Sequence, residues 1–513
     1  MNGAESLVRT ALAAGVEICF ANPGTTEMPL VAALDAAPGV RAVLGLFEGV
    51  CTGAADGWAR MAGRPALVLL HLGPGLANGI ANLHNARRAR SPVVNVVGDH
   101  ASWHLPFDAP LASDIAGLAA PVSGFLRRNA SARELARDFA EAHVAALGPP
   151  GRVATLIVPA DCQWEVASGP ARVAARAAPR GPGPRVEAMA ARLRAAKSPA
   201  LLLGGEALGE AGLLAAARVA AAAGAALLSE TFPARIERGR GRARVARLPY
   251  FPEQAAAALA AHDLLVLAGA REPVAFFGYP DGRSRLAAPE ALATLAAPED
   301  DAVAALAALA DALGAPARAP APPDLPRPEA RASGPLDPQV LGRVLAALQP
   351  EGAIVVDEGA TSGLPYFLAA EAAPPHTTLT LTGGAIGQGL PCAAGAALAC
   401  PGRRVIALQA DGSALYTVQA LWTFAREGLD VVVILCANHR YRILQIELAR
   451  AGIAEPGKAA RALTELAPPA IDWVALARSL GVPAARAATA EELAAELRRA
   501  FAEPGPRLVE AAL

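Results

Sequence analysis

The sequence predicts an α/β protein made of three doubly wound parallel-sheet domains. Three observations lead there. The chain has 513 residues, too many for one hydrophobic core and suited to two to four domains. Short, wholly apolar runs alternate with amphipathic or alanine-rich helical stretches, the pattern of parallel strands covered on both faces. Two segments, 167–185 and 315–338, interrupt this pattern with Pro, Gly, Ala and Arg, as extended surface connectors do. They predict domains at 1–165, 186–314 and 339–513, each of ordinary size.

The elements follow in order. In the first block the predicted strands are 18–20, 42–47, 66–70, 93–97 and 154–158, with a small-residue helix over 49–62. The second block offers 200–203, 226–228 and 264–267, and the third 353–356, 405–408 and 431–435, with a helix over 415–427.

Composition narrows the class. Lys and Arg number 46 against 47 Asp and Glu, a net charge of −1, which gives no electrostatic reason to expect nucleic acid or anionic lipid. The hydrophobic fraction is 53%, but much of it is alanine. No apolar run approaches the roughly 20 residues that span a bilayer, so no membrane partner is expected. Met1-Asn2-Gly3-Ala4-Glu5 carries no basic stretch leading into an apolar one, so no secretory signal is expected. The six cysteines form no Cys-x-x-Cys pair and read as buried hydrophobes of a reducing compartment. A cytoplasmic protein is the expectation.

The chemistry-bearing residues sit at predicted strand ends, where ligands of parallel sheets gather. Asp411-Gly412-Ser413 follows one apolar strand, and Asn438 follows the next, 27 positions beyond Asp411. Paired strands would set a carboxylate beside an amide oxygen, a hard-cation site of the kind that holds magnesium on a diphosphate. The Gly-Ser turn opens a helical stretch whose free N–H groups favour phosphate. Glu48 ends the strand 42–47; alone it could be an ordinary helix-start acid. His71 ends the strand 66–70, followed by Gly73-Pro74-Gly75 and Asn78; a lone histidine is more often structural. Thr25, in the turn Asn22-Pro23-Gly24-Thr25-Thr26-Glu27, could be only a helix cap. Thr382-Gly383-Gly384-Ala385-Ile386-Gly387-Gln388-Gly389 lets a ligand approach backbone closely, or is simply a tight turn.

Together the segments resemble one family over essentially the whole chain. The match is to thiamine-diphosphate-dependent enzymes of the benzoylformate decarboxylase, pyruvate decarboxylase and acetolactate synthase group. It is carried by Ala410-Asp411-Gly412-Ser413 with Asn438, by Phe47-Glu48-Gly49-Val50 through Asp56-Gly57-Trp58-Ala59-Arg60, and by Gly383-Gly384-Ala385-Ile386-Gly387.

The resemblance implies a pyrimidine-binding domain, a Rossmann-like middle domain and a diphosphate-binding domain. It implies a cofactor held between the first domain of one subunit and the third of another, hence a homodimer or homotetramer. Glu48 would activate the pyrimidine, and Ile386 would fill the bulky position beneath the cofactor. Asp411, Asn438 and the Arg440 backbone carbonyl would hold magnesium. Gly384, Gly412, Ser413, Asn78 and, more weakly, Thr361 would contact the cofactor. Thr25 and His71 fall where the benzoylformate decarboxylase branch carries a serine and a histidine. The implied activity is 2-oxo acid decarboxylation or carboligation through an enamine (carbanion), by a lyase or transferase acting on a 2-oxo acid or aldehyde. One alternative is an acetolactate-synthase-like condensation of two 2-oxo acids. Another is a non-catalytic cofactor-binding scaffold, against which the retention of Glu48, Asp411 and Asn438 argues.

Some residues depart from the family pattern. Gly278 stands where a second histidine would be, Ala410 replaces a glycine, and His439 replaces an asparagine. Gly204-Gly205 is too little for a flavin site, and no FAD is expected.

Overall fold

The computed structural model describes residues 1–513 except 281, 320, 322–324, 327 and 330–332, so part of the predicted connector 315–338 lies outside the described residues. The chain divides into two compact units. One comprises Met1–Arg176, Arg327–Ala370 and Leu381–Leu513; the other comprises Ala177–Pro326 with Glu371–Thr380.

The first unit holds two sheets. One has the strand order Arg41–Leu44, Ile18–Asn22, Ala66–Leu70, Val93–Asp99, Val153–Pro159, Phe125–Arg128, with every neighbouring pair parallel. Its central strands, Ala66–Leu70, Val93–Asp99 and Val153–Pro159, are buried throughout, which is why they read as unbroken apolar runs. In the other sheet the order is Ala484–Ala487, Arg507–Ala512, Val431–Ala437, Val405–Ala410, Ile354–Glu358, again parallel.

Two helices clamp these layers together. Glu48–Ala62 packs on Gly389–Ala399 along small residues. A Cβ on Gly57 would lie 2.0 Å from the Cys392 carbonyl oxygen, and one on Gly395 would lie 1.9 Å from the Ala54 carbonyl oxygen. Only glycine allows so close a backbone approach. A buried ion pair, Asp56 with Arg60, lies on the same helix.

The second unit has a five-stranded parallel sheet in the order Ala246–Arg247, Ala226–Ser229, Pro199–Leu203, Leu264–Ala268, Leu292–Ala296. In this unit Ile236–Arg238 also pairs antiparallel with His376–Thr380. The α/β class and the three parallel sheets are those the sequence predicts.

Local boundaries differ from expectation. The strand predicted over 42–47 stops at Leu44, because the chain turns at Gly45, whose added Cβ would sit 2.7 Å from Cys51 Sγ. The helix predicted over 415–427 is a short turn, Asp411–Ala414, and a helix only over Ala420–Glu427. Among the described residues no helix is long and apolar enough to cross a membrane.

Candidate active site

Glu48 opens the helix Glu48–Ala62 at its first position, after the extended Phe47. Its carboxylate accepts a hydrogen bond from Asn78 Nδ2 at 3.0 Å. His71 follows the strand Ala66–Leu70 and precedes the helix Leu72–Ala89. The two converge at Gly75, where an added Cβ would lie 3.3 Å from Glu48 Oε1 and 3.5 Å from His71 Cβ.

His71 is held from behind. Its Nδ1 lies 2.8 Å from Glu27 Oε2 and 3.2 Å from Thr26 Oγ1. Glu27 is fully buried, accepts the Gly24 N–H at 2.8 Å and the Thr26 hydroxyl, and sits so close to Gly98 that an added Cβ would overlap it. A Cβ on Gly24 would lie 2.3 Å from the His71 ring. With Nδ1–H donated to a carboxylate, Nε2 is the nitrogen left for proton exchange. Thr25 is exposed in the 3-10 turn Thr25–Glu27; the hydroxyl that meets His71 belongs to Thr26.

The second cluster forms at the ends of Val405–Ala410 and Val431–Ala437, which run side by side. Asp411 is buried and accepts the Gly412 N–H at 2.8 Å and the His439 N–H at 2.7 Å. Burial pushes its pKa up, and these N–H donors pull it back. Asn438 Oδ1 takes the Arg440 N–H at 3.0 Å. Thr464 and Leu466 pair with the N–H of Tyr441 and the carbonyl of His439, so the Arg440 carbonyl faces away from that pairing and no described hydrogen bond uses it. The Tyr441 ring covers Gly412, where an added Cβ would lie 2.4 Å from Cε1. Ser413 Oγ accepts from Gln409 Nε2 at 2.6 Å. Among the described residues no group of three His, Cys, Asp or Glu side chains is placed to hold a metal. A cation here would draw on Asp411, an amide oxygen, a backbone oxygen and the phosphates it serves, which suits magnesium. The donor set therefore fits a magnesium diphosphate.

Between the clusters runs the loop 383–387, with Gly384 at φ +76° and Gly387 at φ +96°, which excludes side chains there. Ile386 is half-buried on it. Asn85 Nδ2 donates to the Ala385 carbonyl at 2.7 Å, and Asn82 Nδ2 donates both to the Gly387 carbonyl at 3.2 Å and to the Gly49 carbonyl at 2.8 Å. One amide thus joins the helix turn behind Glu48 to the loop of Ile386. Among the described residues no hydrogen bond joins Glu48 or His71 to Asp411 or Asn438.

Backbone strain gathers here too. Leu72, Ala360 and His439 have φ of +53°, +48° and +54°, and they adjoin His71, Thr361 and Asn438. Non-glycine residues in this region persist where surroundings enforce them, commonly at functional sites.

The family model for the N-terminal thiamine pyrophosphate binding domain of thiamine pyrophosphate enzymes matches residues 1–117. The model for their C-terminal thiamine pyrophosphate binding domain matches residues 362–511. The chain belongs to the thiamine pyrophosphate enzyme family. A Mycobacterium tuberculosis protein provisionally named acetolactate synthase large subunit IlvX is 51% identical, over 99% of this chain and 98% of that protein. Benzoylformate decarboxylase of Pseudomonas aeruginosa is 33% identical, over 97% and 96% of the two chains. Among solved structures, the thiamine diphosphate-dependent 4-hydroxybenzoylformate decarboxylase of Rhodococcus jostii RHA1 superposes with a TM-score of 0.88 at 27% identity, covering 99% of this chain and 98% of that one.

In this thiamine pyrophosphate enzyme, the sequence alone does not reveal Glu27, Asn82 and Asn85. Glu27 lies within the turn Asn22-Pro23-Gly24-Thr25-Thr26-Glu27, but only the fold shows its carboxylate under His71. Gly278 is exposed in the second unit, with nothing within 4 Å of where a Cβ would be.

Proposed function

We propose that this thiamine pyrophosphate enzyme is a magnesium-dependent 2-oxo acid decarboxylase that also carries out carboligation, working as a homodimer or homotetramer. The observation that carries this reading is the convergence of Glu48 and His71 at Gly75, with His71 fixed through Nδ1 by buried Glu27. Asp411, Asn438 and the Arg440 carbonyl would hold magnesium; Gly412, Ser413, Gly384 and Thr361 would line the diphosphate; Glu48 and Asn78 would meet the pyrimidine, and Ile386 the space beneath it. When bound, the cofactor supplies an electron sink for the carbanion left by loss of carbon dioxide. Glu48 would hydrogen-bond a pyrimidine ring nitrogen. His71 Nε2 would give or take a proton at the substrate, and Thr25 would meet the substrate carboxylate. A site completed by a second copy of the chain belongs to this reading. No flavin belongs to this reading, and the purified protein should be colourless.

A second reading, condensation of two 2-oxo acids, draws on the name of the 51% identical relative and on Gly278, which offers no imidazole to protonate a product. A panel of aliphatic and aromatic 2-oxo acids, with thiamine diphosphate and magnesium supplied, separates the two. Aldehyde supports the first and acetohydroxy acid the second. Glu48→Gln should reduce either to a trace. Full turnover by Glu48→Gln, or no consumption of any 2-oxo acid by the unmutated protein, would sink the proposal.

A further inference from the structure

Glu358 belongs to no part of the site described so far, yet it connects two parts of it. It ends the strand Ile354–Glu358 and is 4% exposed. Its Oε1 accepts the Gly387 N–H at 2.7 Å, and its Oε2 accepts the Gly389 N–H at 2.6 Å. These N–H groups flank the start of the helix Gly389–Ala399, where unpaired donors and the helix dipole both favour a carboxylate. Glu358 therefore holds the donor side of the Ile386 loop. Asn82, Asn85 and Thr417 hold its carbonyl side, the last through Thr417 Oγ1 to the Gly387 carbonyl at 2.9 Å.

The Glu358 side continues further. Gln409 lies opposite Glu358 in the strand register. Its Nε2 donates to Glu358 Oε2 at 3.0 Å and to Ser413 Oγ at 2.6 Å, and Ser413 Oγ donates to the Ala410 carbonyl at 3.1 Å. Both amide protons are used. Gln409 Oε1 is buried without a described partner and faces Gly389, where an added Cβ would lie 2.2 Å away. The amide gives up an acceptor bond to keep both donor bonds, and a buried polar atom left unpaired is costly. The chain from Ser413 to Gly387 is continuous, buried and polar.

We propose that Glu358 is a positioning residue, and that Glu358 and Gln409 together couple the metal-motif turn at Asp411–Ser413 to the loop that carries Ile386. This rests on the reading of that turn and loop as the two cofactor-holding elements. Binding of magnesium and diphosphate at the turn is then linked to where Ile386 sits, and neither Glu358 nor Gln409 needs to touch the cofactor.

The test uses the full-length protein, thiamine diphosphate and magnesium. Glu358→Gln keeps shape but turns an amide toward N–H donors that need an acceptor. Gln409→Met keeps volume and removes both donor bonds, to Ser413 Oγ and to Glu358 Oε2, while leaving the Glu358 carboxylate on its backbone N–H groups. Three readouts apply: thiamine diphosphate affinity at saturating magnesium, the near-ultraviolet circular dichroism of the bound cofactor, and the melting temperature of the apoprotein. Each variant should lose about tenfold in affinity and shift the dichroism band toward that of Ile386→Ala. The double variant should lose no more than the worse single one, as residues acting as a unit do. Gln409→Met should melt within a few degrees of the unmutated protein. Unmutated affinity and dichroism in Gln409→Met, or losses that simply add in the double variant, would overturn the coupling. If the unmutated protein itself bound no thiamine diphosphate, the underlying functional reading would fall instead.

Discussion

Replacing Asp56 with alanine should destabilise the apoprotein more than almost any other single change on the helix Glu48–Ala62. Asp56 Oδ1 accepts from Arg60 Nε at 2.9 Å and from Ser91 Oγ, and Oδ2 accepts from Arg60 Nη2 at 2.6 Å and from Gln388 Nε2 at 2.6 Å. The side chains of Arg60 and Asp56 are 2% and 0% exposed. Removing the carboxylate strands a guanidinium that keeps Thr382 Oγ1, at 2.9 Å, as a partner. Breaking one side of a buried pair costs about 3–5 kcal/mol, chiefly for the uncompensated charge. At an unfolding entropy of about 2.1 cal/mol/K per residue, a unit of this size loses roughly 1.3 °C per kcal/mol, so the melting temperature should fall by roughly 4–7 °C. Asp56→Ala with Arg60→Met removes the stranded charge and leaves Ser91 and Gln388 short of an acceptor, about 1 kcal/mol each, while Thr382 Oγ1 loses the Arg60 donor but keeps its own bond to the Asn85 carbonyl. The double variant should therefore be more stable than the single one. Urea unfolding followed by tryptophan fluorescence suits the measurement, because Trp58 is buried on the same helix. A single variant within about 1 kcal/mol of the unmutated protein, or a double variant no better than the single, would refute the reasoning.

Other outcomes follow from neighbouring features. Gly395→Val should lower stability by about 3 kcal/mol, because its Cβ would meet the Ala54 carbonyl at 1.9 Å; Gly278→His, in open space, should leave the melting temperature unchanged. Burial holds the His376 pKa down to about 4 against an ordinary 6.5. The unfolded ring binds a proton near pH 6.5, so the stability conferred by the neutral ring is complete above that pH. It is lost progressively as the pH falls from 6.5 to about 4, by about 3 kcal/mol in all. Urea midpoints measured from pH 7 to pH 4 should show this slope, and His376→Asn should flatten it. Burial pushes the thiols of Cys19, Cys162, Cys392 and Cys436 up to about 12 and that of Cys51 higher still. At pH 8 a thiol reagent should thus react promptly only with half-buried Cys400, and with all six cysteines after unfolding; prompt reaction of two or more native thiols would contradict the buried assignment.

Much of this fold is legible because central parallel strands must be apolar on both faces. Val93–Asp99 and Val431–Ala437 announce themselves in that way. Strands with one wet face do not. Phe125–Arg128 alternates half-buried and exposed residues, and Ala484–Ala487 is too alanine-rich to be told from helix. The site divides along similar lines. Asp411, Asn438 and Glu48 were legible because strand ends are where sheet topology sets ligand groups. Glu358 also ends a strand, but its partners are backbone N–H groups of a loop some thirty residues away, and backbone leaves no residue-specific mark. Asn82 and Asn85 are hidden for the same reason, since both act on backbone groups, Asn82 on carbonyls and Asn85 on the carbonyl and N–H of Ala385. Glu27 was hidden because only the packing under Gly98 reveals that a turn acid faces inward.

The double grip of Asn82, on the Gly49 carbonyl and the Gly387 carbonyl, has a consequence for mixtures of chains. It makes the Glu48 helix and the Ile386 loop of one polypeptide a single body. If that body serves two pockets, each shared with a neighbour, two defective polypeptides can repair one another. A hybrid of a Glu48→Gln chain and an Asp411→Ala chain would contain one pocket with both lesions and one with neither. Co-refolding the two inactive proteins should then restore a quarter of normal turnover, since half the molecules are hybrids and each has one sound pocket of two. A polypeptide that completes its own pocket would restore none.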